Sequence, residues 1–303
     1  MDSTLPQLSG TRFATDGGLE TDLIFHHGVD LPEFAAFPLV DDARGRELLT
    51  AYFDGYADVA RRAGVGLLLE TPTWRANPDW GARVGYDAAA LDRVNRASVE
   101  LMRGIRGRHD DLSDVLLGGT IGPRGDGYRA GERADPDEAQ AYHAPQVRAF
   151  ADAGADLVTA YTLTGPEEAV GIVRAAREAG LPVAISFTVE TDGRLPDGTP
   201  LVAAVEGVDE VAAPDYFLVN CAHPTHVAPG LDGGAWTSRI LGLRPNASTL
   251  THAELDEAEE LDDGDLGELT AAYAALVPAL PAVTVLGGCC GTDARHVAAL
   301  WGV

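Results

Sequence analysis

The feature that most constrains the fold is a repeated alternation of short apolar runs with longer, polar, helix-patterned stretches. Eight runs rich in valine, leucine and isoleucine recur along the chain; they cover residues 13–19, 65–73, 115–121, 156–163, 183–189, 216–221, 239–243 and 283–288. Several are continuously apolar, which is typical of parallel strands covered on both faces. The pattern predicts repeated strand–helix units that share one parallel sheet.

The stretches between the runs carry helix periodicity and helix-end signals. Apolar residues recur at three- and four-residue spacing over residues 46–63 and 91–105. Asp135 followed by Pro136 predicts another helix start, because a carboxylate accepts hydrogen bonds from first-turn amides and proline suits the first position. Three further helices are predicted to end in a left-handed glycine after alanine, at Gly64, Gly154 and Gly180.

Eight such units in 303 residues predict an α/β protein, a (β/α)₈ TIM barrel that forms a single domain over residues 1–303. The alternative, an open doubly wound sheet, is disfavoured because the glycines in Asp16-Gly17-Gly18 are too few for a dinucleotide-binding loop. The one irregular interval, residues 246–265, is rich in acidic residues. It is predicted to be an exposed acidic loop and helix rather than a carboxylate metal site.

The charge balance excludes several classes of function. The 22 basic residues, all arginine, face 47 acidic ones, which gives a formal net charge of −25. Such a chain repels nucleic acid and anionic lipid, and neither is an expected partner. Without lysine, Schiff-base chemistry is excluded. Because there is no signal-like segment and no apolar run of about 18 residues, we expect a cytoplasmic protein.

All three cysteines end predicted strands. Cys221 closes the sixth apolar run, and Cys289 and Cys290 close the eighth. In a barrel these strand ends share the rim where chemistry takes place, and the glycines around positions 289 and 290 let the backbone turn so that both sulfurs face one point. Three convergent sulfurs with an open position predict a catalytic Zn²⁺ site.

Two alternatives accompany this prediction. His223 and His226 could compete as metal ligands, although we expect them to cap the following helix or to line the rim. The adjacent pair Cys289 and Cys290 could instead cycle between dithiol and disulfide, which would make the chain a non-catalytic, redox-sensing barrel.

Taken together, these motifs resemble the homocysteine S-methyltransferase family. The likeness spans nearly the whole chain and rests on Asp16-Gly17-Gly18, Glu70-Thr71, Gly122-Pro123, Asn220-Cys221 and Gly287-Gly288-Cys289-Cys290-Gly291. It implies a (β/α)₈ barrel with Zn²⁺ held by the three cysteines and the substrate sulfur as fourth ligand. It also implies methyl transfer to homocysteine, giving methionine, from a cationic donor of the S-methylmethionine, S-adenosylmethionine or betaine type.

The same resemblance implies a set of substrate-binding residues. Asp16 and the backbone of Gly17 would hold the amino-acid part of the thiol, and Glu70 would face the pocket. Asn220 belongs to this set, with its amide expected to orient the loop that carries Cys221. The implied partners are a small-molecule thiol acceptor and a methyl donor, and the sequence leaves a homo-oligomer open.

The chain departs from the family pattern at the end of the fourth strand. Thr162 stands where many members carry a glutamate that grips the α-amino group of the substrate, and a hydroxyl supplies no charge. Either another acid, such as Asp16 or Glu190, takes over, or the acceptor is a different thiol or a selenol. Aromatic candidates for the donor site are Trp74, Tyr161, Phe187 and Trp236; Arg124 and Arg244 are candidates for an anion or for ordinary salt bridges.

Overall fold

The predicted barrel is confirmed by a computed structural model, which describes residues 5–258 and 260–303. Eight parallel strands pair in chain order, and the last closes on the first. The strands are β1 Phe13–Ala14, β2 Gly66–Glu70, β3 Val115–Ile121, β4 Leu157–Leu163, β5 Val183–Phe187, β6 Tyr216–Asn220, β7 Ile240–Arg244 and β8 Val285–Leu286. Each falls within, or one residue beyond, an apolar run of the sequence.

Helices follow the strands around the outside of the barrel. They are α1 Leu19–Thr21, α2 Ala43–Ala63, α3 Pro78–Arg83, α4 Ala88–Arg106, α5 Pro136–Ala153, α6 Pro166–Glu178, α7 Leu201–Ala212, α8 Pro224–Val227, α9 His252–Asp256, α10 Leu266–Leu276 and α11 Ala294–Trp301. None of these described helices has the length and hydropathy needed to cross a bilayer.

Helix starts are set by capping side chains. The helix predicted at Asp135 is confirmed, since its carboxylate accepts hydrogen bonds from the amides of Asp137 and Glu138. Helices α2 and α4 each begin about a turn before the apolar pattern does, because Asp42 and Asp87 cap first turns that are largely exposed. A periodic apolar pattern cannot detect a first turn that faces solvent.

The continuous apolar runs are explained by burial on both faces of the sheet. One cluster fills the inside of the barrel and includes Phe13, Leu68, Leu157, Tyr216, Leu218 and Val285. A larger cluster lies between the strands and the helices and includes Leu67, Leu69, Val158, Ile185, Phe217 and Val219. Neighbouring residues of one strand thus enter different cores, so neither face is polar.

Strands β1 and β8 are shorter than predicted. Their hydrogen bonds continue beyond the strand bounds, with the Gly288 amide donating to the Asp16 carbonyl at 2.8 Å. A Cβ at Gly287 would lie 2.5 Å from that same carbonyl oxygen, so only glycine permits the approach. The two segments therefore approach each other closely where the sequence suggests further strand.

The acidic interval is only partly the solvated surface that was predicted. Helix α9 begins with a capping box between Thr251 and Glu254 and ends at Asp256. Beyond it, Leu261 and Asp262 turn back to border the barrel mouth. Another acidic residue of this run, Glu259, lies outside the described residues. The interval thus covers one side of the cavity.

The predicted glycine caps are confirmed and give a paired stability test. Gly64, which ends α2, has φ +64°, whereas Gly104 lies exposed within α4; a Cβ would meet nothing within 4 Å at either. We expect Gly64→Ala to lower the free energy of unfolding by about 1 kcal/mol and Gly104→Ala to raise it by about 0.5–1 kcal/mol. Urea unfolding would measure both changes. If the two substitutions shifted the free energy of unfolding in the same direction, the backbone conformation at Gly64 would not explain its effect.

Candidate active site

A cavity of about 420 Å³ opens at the carboxyl ends of the strands. All three cysteines border it, as do the predicted substrate residues Asp16, Gly17, Glu70 and Asn220. The loops after β1, β2 and β3 and the end of β4 form one wall, and the ends of β6, β7 and β8 with residues of the interval after β7 form the other. This arrangement matches the rim on which (β/α)₈ barrels carry out their chemistry.

The structure brings the three cysteine sulfurs together, all within 4.8 Å of one another. The Cys221 Sγ lies 2.7 Å from Cys289 Sγ and 3.6 Å from Cys290 Sγ. All three thiols are free. Local backbone produces the convergence: Cys221 adopts a left-handed φ of +56°, and its carbonyl accepts a hydrogen bond from the Asn246 side chain at 3.0 Å.

The chemistry of this donor set fits a soft, borderline cation. Hydrogen bonds from the Cys221 and Cys290 thiols lower the pKa of Cys289, whereas burial and the neighbouring sulfurs raise the pKa of Cys221. The cluster by itself therefore favours one thiolate over three. A divalent ion would remove that limit, because its charge compensates several thiolates at once.

Beside the cysteines, Arg244 from the end of β7 is buried among two carboxylates. Its guanidinium donates to Asp16 Oδ1 and to Glu70 Oε2, at 2.7 Å in both cases. It also donates to the Gly288 carbonyl at 2.8 Å and to the Gly17 carbonyl at 3.0 Å. The sequence left Arg244 as either an anion-binding residue or a salt-bridge partner, and the structure shows the salt bridge.

This network sets the charge of the predicted substrate residues. Burial raises the pKa of Asp16 and brings that of Glu70 to about 7, while the Arg244 charge opposes both shifts. One cation faces two carboxylates, so the pair lacks a full counter-charge. Tyr52 and Tyr161 supply further donors, to Asp16 Oδ2 at 3.2 Å and to Glu70 Oε2 at 2.5 Å.

Asn220 is held differently from the expectation. Its Oδ1 accepts from the Thr162 amide at 2.9 Å and from Ser186 Oγ at 2.6 Å, and its Nδ2 donates to Thr162 Oγ1 at 2.8 Å. The amide therefore joins β6 to β4 and β5, and its Nδ2 lies 3.7 Å from Cys289 Sγ, while Asn246 bonds to the Cys221 carbonyl. Thr162 itself has a left-handed φ of +62°.

Two residues next to the cysteines were missed by sequence reasoning. The Tyr128 hydroxyl donates to Cys290 Sγ at 3.2 Å and lies 3.4 Å from Cys221 Sγ. Its ring stacks on His252, with centroids 4.3 Å apart and planes 8° from parallel. Tyr128 comes from the irregular loop after β3, and His252 is the first residue of the five-residue helix α9; neither segment carries a periodic signal that could have placed its side chain here.

Glu20 is a third missed residue, although it directly follows the glycine motif after β1. It is partly exposed and borders the cavity. Burial, and then the nearby negative groups Asp16 and Cys289, raise the pKa of Glu20 to about 7. Its proximity to the Asp16-Gly17-Gly18 motif is the signal that could have indicated it.

The remaining candidates divide between cavity and scaffold. His223 caps α8 as predicted, and Arg124 pairs with Asp79 at the surface. Trp74 and Tyr161 border the cavity. By contrast, Phe187 is buried against Phe217 and Trp236 bonds to Asp232, so these two belong to the scaffold.

Fold and site together define a (β/α)₈ barrel with three free thiols at its catalytic rim. A family model described as homocysteine S-methyltransferase matches residues 14–302. The chain therefore belongs to the homocysteine S-methyltransferase family, whose members are methyltransferases. Family membership favours the enzyme over the non-catalytic sensing barrel.

Individual relatives agree with this assignment. A homocysteine S-methyltransferase of Escherichia coli (strain K12) is 31% identical over 253 residues, covering 79% of this chain and 80% of the relative. The homocysteine S-methyltransferase YbgG of Bacillus subtilis (strain 168) is 25% identical over 272 residues, covering 83% and 81%. The metallated form of the homocysteine methyltransferase MmuM from Escherichia coli shares the fold, with a TM-score of 0.76 over 98% of both chains at 23% identity.

The Arg244 network predicts a large stability effect. Replacement of Arg244 by glutamine leaves two buried carboxylates without their cation, and we expect the free energy of unfolding to fall by about 3–5 kcal/mol. The loss should be smaller at pH 5 than at pH 8, because the buried carboxyls can then bind protons. As a control, Arg96→Gln breaks exposed pairs with Asp92 and Asp152 and should cost less than about 1 kcal/mol. Similar losses for both variants in urea unfolding would contradict the prediction.

Proposed function

We propose that this methyltransferase moves a methyl group from a cationic donor to the thiol of homocysteine, giving methionine, with Zn²⁺ held by Cys221, Cys289 and Cys290. The observation that carries the proposal is the convergence of three free thiols within 4.8 Å of one another at the barrel mouth. Its occurrence in a chain of the homocysteine S-methyltransferase family supports homocysteine as the acceptor.

When held by the three cysteines, Zn²⁺ would supply a positive charge that favours the deprotonated form of an acceptor thiol. The chain supplies the surroundings of that thiol. Asn246 fixes the Cys221 carbonyl, and the Tyr128 hydroxyl lies over two of the sulfurs. Buried side chains around the cavity exclude bulk water, which strengthens electrostatic interactions there.

The transfer itself is a displacement at the methyl carbon. The acceptor sulfur forms a new S–C bond while the bond from the methyl to the donor's positively charged atom breaks, and that atom keeps the bonding electron pair. The onium atom and the acceptor thiolate both become neutral, so the step removes one positive and one negative charge from the cavity. Once the acceptor is a thiolate, the reaction needs no general base from the chain.

The metal content of the purified protein tests the proposed metal site. Protein purified without chelator should contain about one zinc per chain, and Cys290→Ala should lose both the metal and the activity. His223→Ala is a matched control, since this histidine caps α8, and should keep both. Atomic absorption and a methyl-transfer assay would measure the outcome, and full activity in metal-free protein would disprove the zinc chemistry.

The acceptor's amino group requires a carboxylate that Thr162 cannot provide. Asp16 is already paired with Arg244 at 2.7 Å, and Glu190 faces the His252 ring at 3.0 Å. Glu20 borders the cavity and lies near Cys289. We therefore propose Glu20 as the partner of the α-ammonium group of homocysteine.

The Glu20 proposal predicts a selective change in acceptor recognition. A lost charge-assisted hydrogen bond costs roughly tenfold or more in binding, so Glu20→Gln should raise KM for homocysteine by about tenfold. The thiol 4-mercaptobutyrate has the same chain without the amino group, and its KM should not change. Initial rates with both thiols would measure the difference.

The same assay separates homocysteine from other acceptors. If unmodified protein uses homocysteine less well than 4-mercaptobutyrate or a selenol, the alternative acceptor suggested by Thr162 is favoured. An equal rise in KM for both thiols in Glu20→Gln would show that Glu20 does not bind the amino group of the acceptor.

A further inference from the structure

A second buried arginine borders the cavity, in a different loop from the cysteines. Arg75, in the loop after β2, is 8% exposed. Its guanidinium carbon lies 4.2 Å from the centroid of the Trp74 ring and 3.4 Å from that of Trp80. Arg83 also lies over Trp80, at 4.3 Å, and pairs with Glu33 at the surface.

The charge of Arg75 has no direct partner among the described residues. No carboxylate of the described chain lies within 4 Å of it, its Nε is buried without an acceptor, and its one hydrogen bond runs to the Gly125 carbonyl at 3.3 Å. Burial lowers the pKa of Arg75 to about 10, with Asp126 and Glu20 opposing from a distance. The side chain is therefore still a cation at neutral pH.

Arg75 differs in this respect from Arg244, which is equally buried. Arg244 contacts two carboxylates and three backbone carbonyls, so its charge is compensated within the protein. A buried charge without compensation is costly, and a ligand anion would supply what the chain does not. Because stacking occupies the faces of a guanidinium, its N–H edge remains available for a planar acceptor.

We infer that Arg75 binds the carboxylate of the methyl donor, an assignment that rests on the proposed methyl transfer. The acceptor sulfur belongs beside the cysteines, at the ends of β6 and β8. Displacement requires the donor's methyl group to face that sulfur, so the remainder of the donor extends toward the loops after β2 and β3. Arg75 stands on that wall, and the donor class is thus a methylated onium compound that also carries a carboxylate.

The test compares donors that differ only in that carboxylate. S-methylmethionine, S-adenosylmethionine and glycine betaine are each paired with their primary amide, which keeps the onium group and removes the negative charge. Binding is followed by titration calorimetry, and turnover by kcat/KM with homocysteine. The proteins are the unmodified chain, Arg75→Gln, Arg75→Lys and the control Arg83→Gln, which alters the same stack outside the cavity.

We expect the unmodified protein and Arg83→Gln to prefer the carboxylate form of the active donor by about ten- to hundredfold, the range of a charged hydrogen-bonded contact. In Arg75→Gln the two forms should bind and react equally, and Arg75→Lys should lie between. KM for homocysteine should stay within about twofold, a limit set by the usual scatter of such contacts. The ratio of kcat/KM for the carboxylate form to that for the amide form is measured within one protein preparation, so a lower folded fraction of a variant does not affect it.

Four results would overturn the assignment. If Arg75→Gln keeps the preference for the carboxylate form, or if its defect lies in KM for homocysteine, Arg75 does not bind the donor's carboxylate. The proposed methyl transfer would be unaffected by either result. If the unmodified protein shows turnover but no preference for the carboxylate form, the donor site does not use Arg75. Failure of the unmodified protein to bind or turn over any donor disproves the proposed function itself, and the donor assignment with it.

Discussion

The buried guanidinium of Arg244 is the interaction on which the barrel mouth depends. It starts from the end of β7 and contacts groups at the ends of β1, β2 and β8, through Asp16, Glu70 and Gly288. Its guanidinium carbon also lies 4.8 Å from the Tyr161 ring centroid, on β4. Because β1 and β8 are only two residues long, few ladder bonds join them, and this network supplies the missing cross-links where the barrel closes.

Unusual backbone conformations gather at the same mouth. Thr162 and Cys221 both have left-handed φ angles, a conformation that costs a side-chain-bearing residue roughly 1–2 kcal/mol. Asn220 lies between them and bonds to Thr162 through both its oxygen and its nitrogen. The surrounding hydrogen bonds thus hold a strained backbone that turns the Cys221 sulfur toward the other two.

The sequence allowed the barrel and its cysteines to be predicted because both depend on strands, whose apolar runs are long and regular. Strand ends were less predictable, since the close approach of the segments after β1 and β8 depends on contacts between residues far apart in sequence, such as Gly287 and Asp16. Tyr128 and Arg75 could not be placed at all. They lie in irregular loops, where position follows from packing against other loops rather than from any period of the chain.

The division of the cavity between two walls has a consequence for how such a protein can change. The three cysteines come from the C-terminal half of the chain, whereas Glu20, Trp74 and Arg75 come from the first quarter. The two halves meet through buried charges, since Arg244 of β7 bonds to Asp16 and Glu70. A substitution that moves one of these charges is therefore felt in the other half, so this mouth can acquire a new ligand only through matched changes in both halves of the chain.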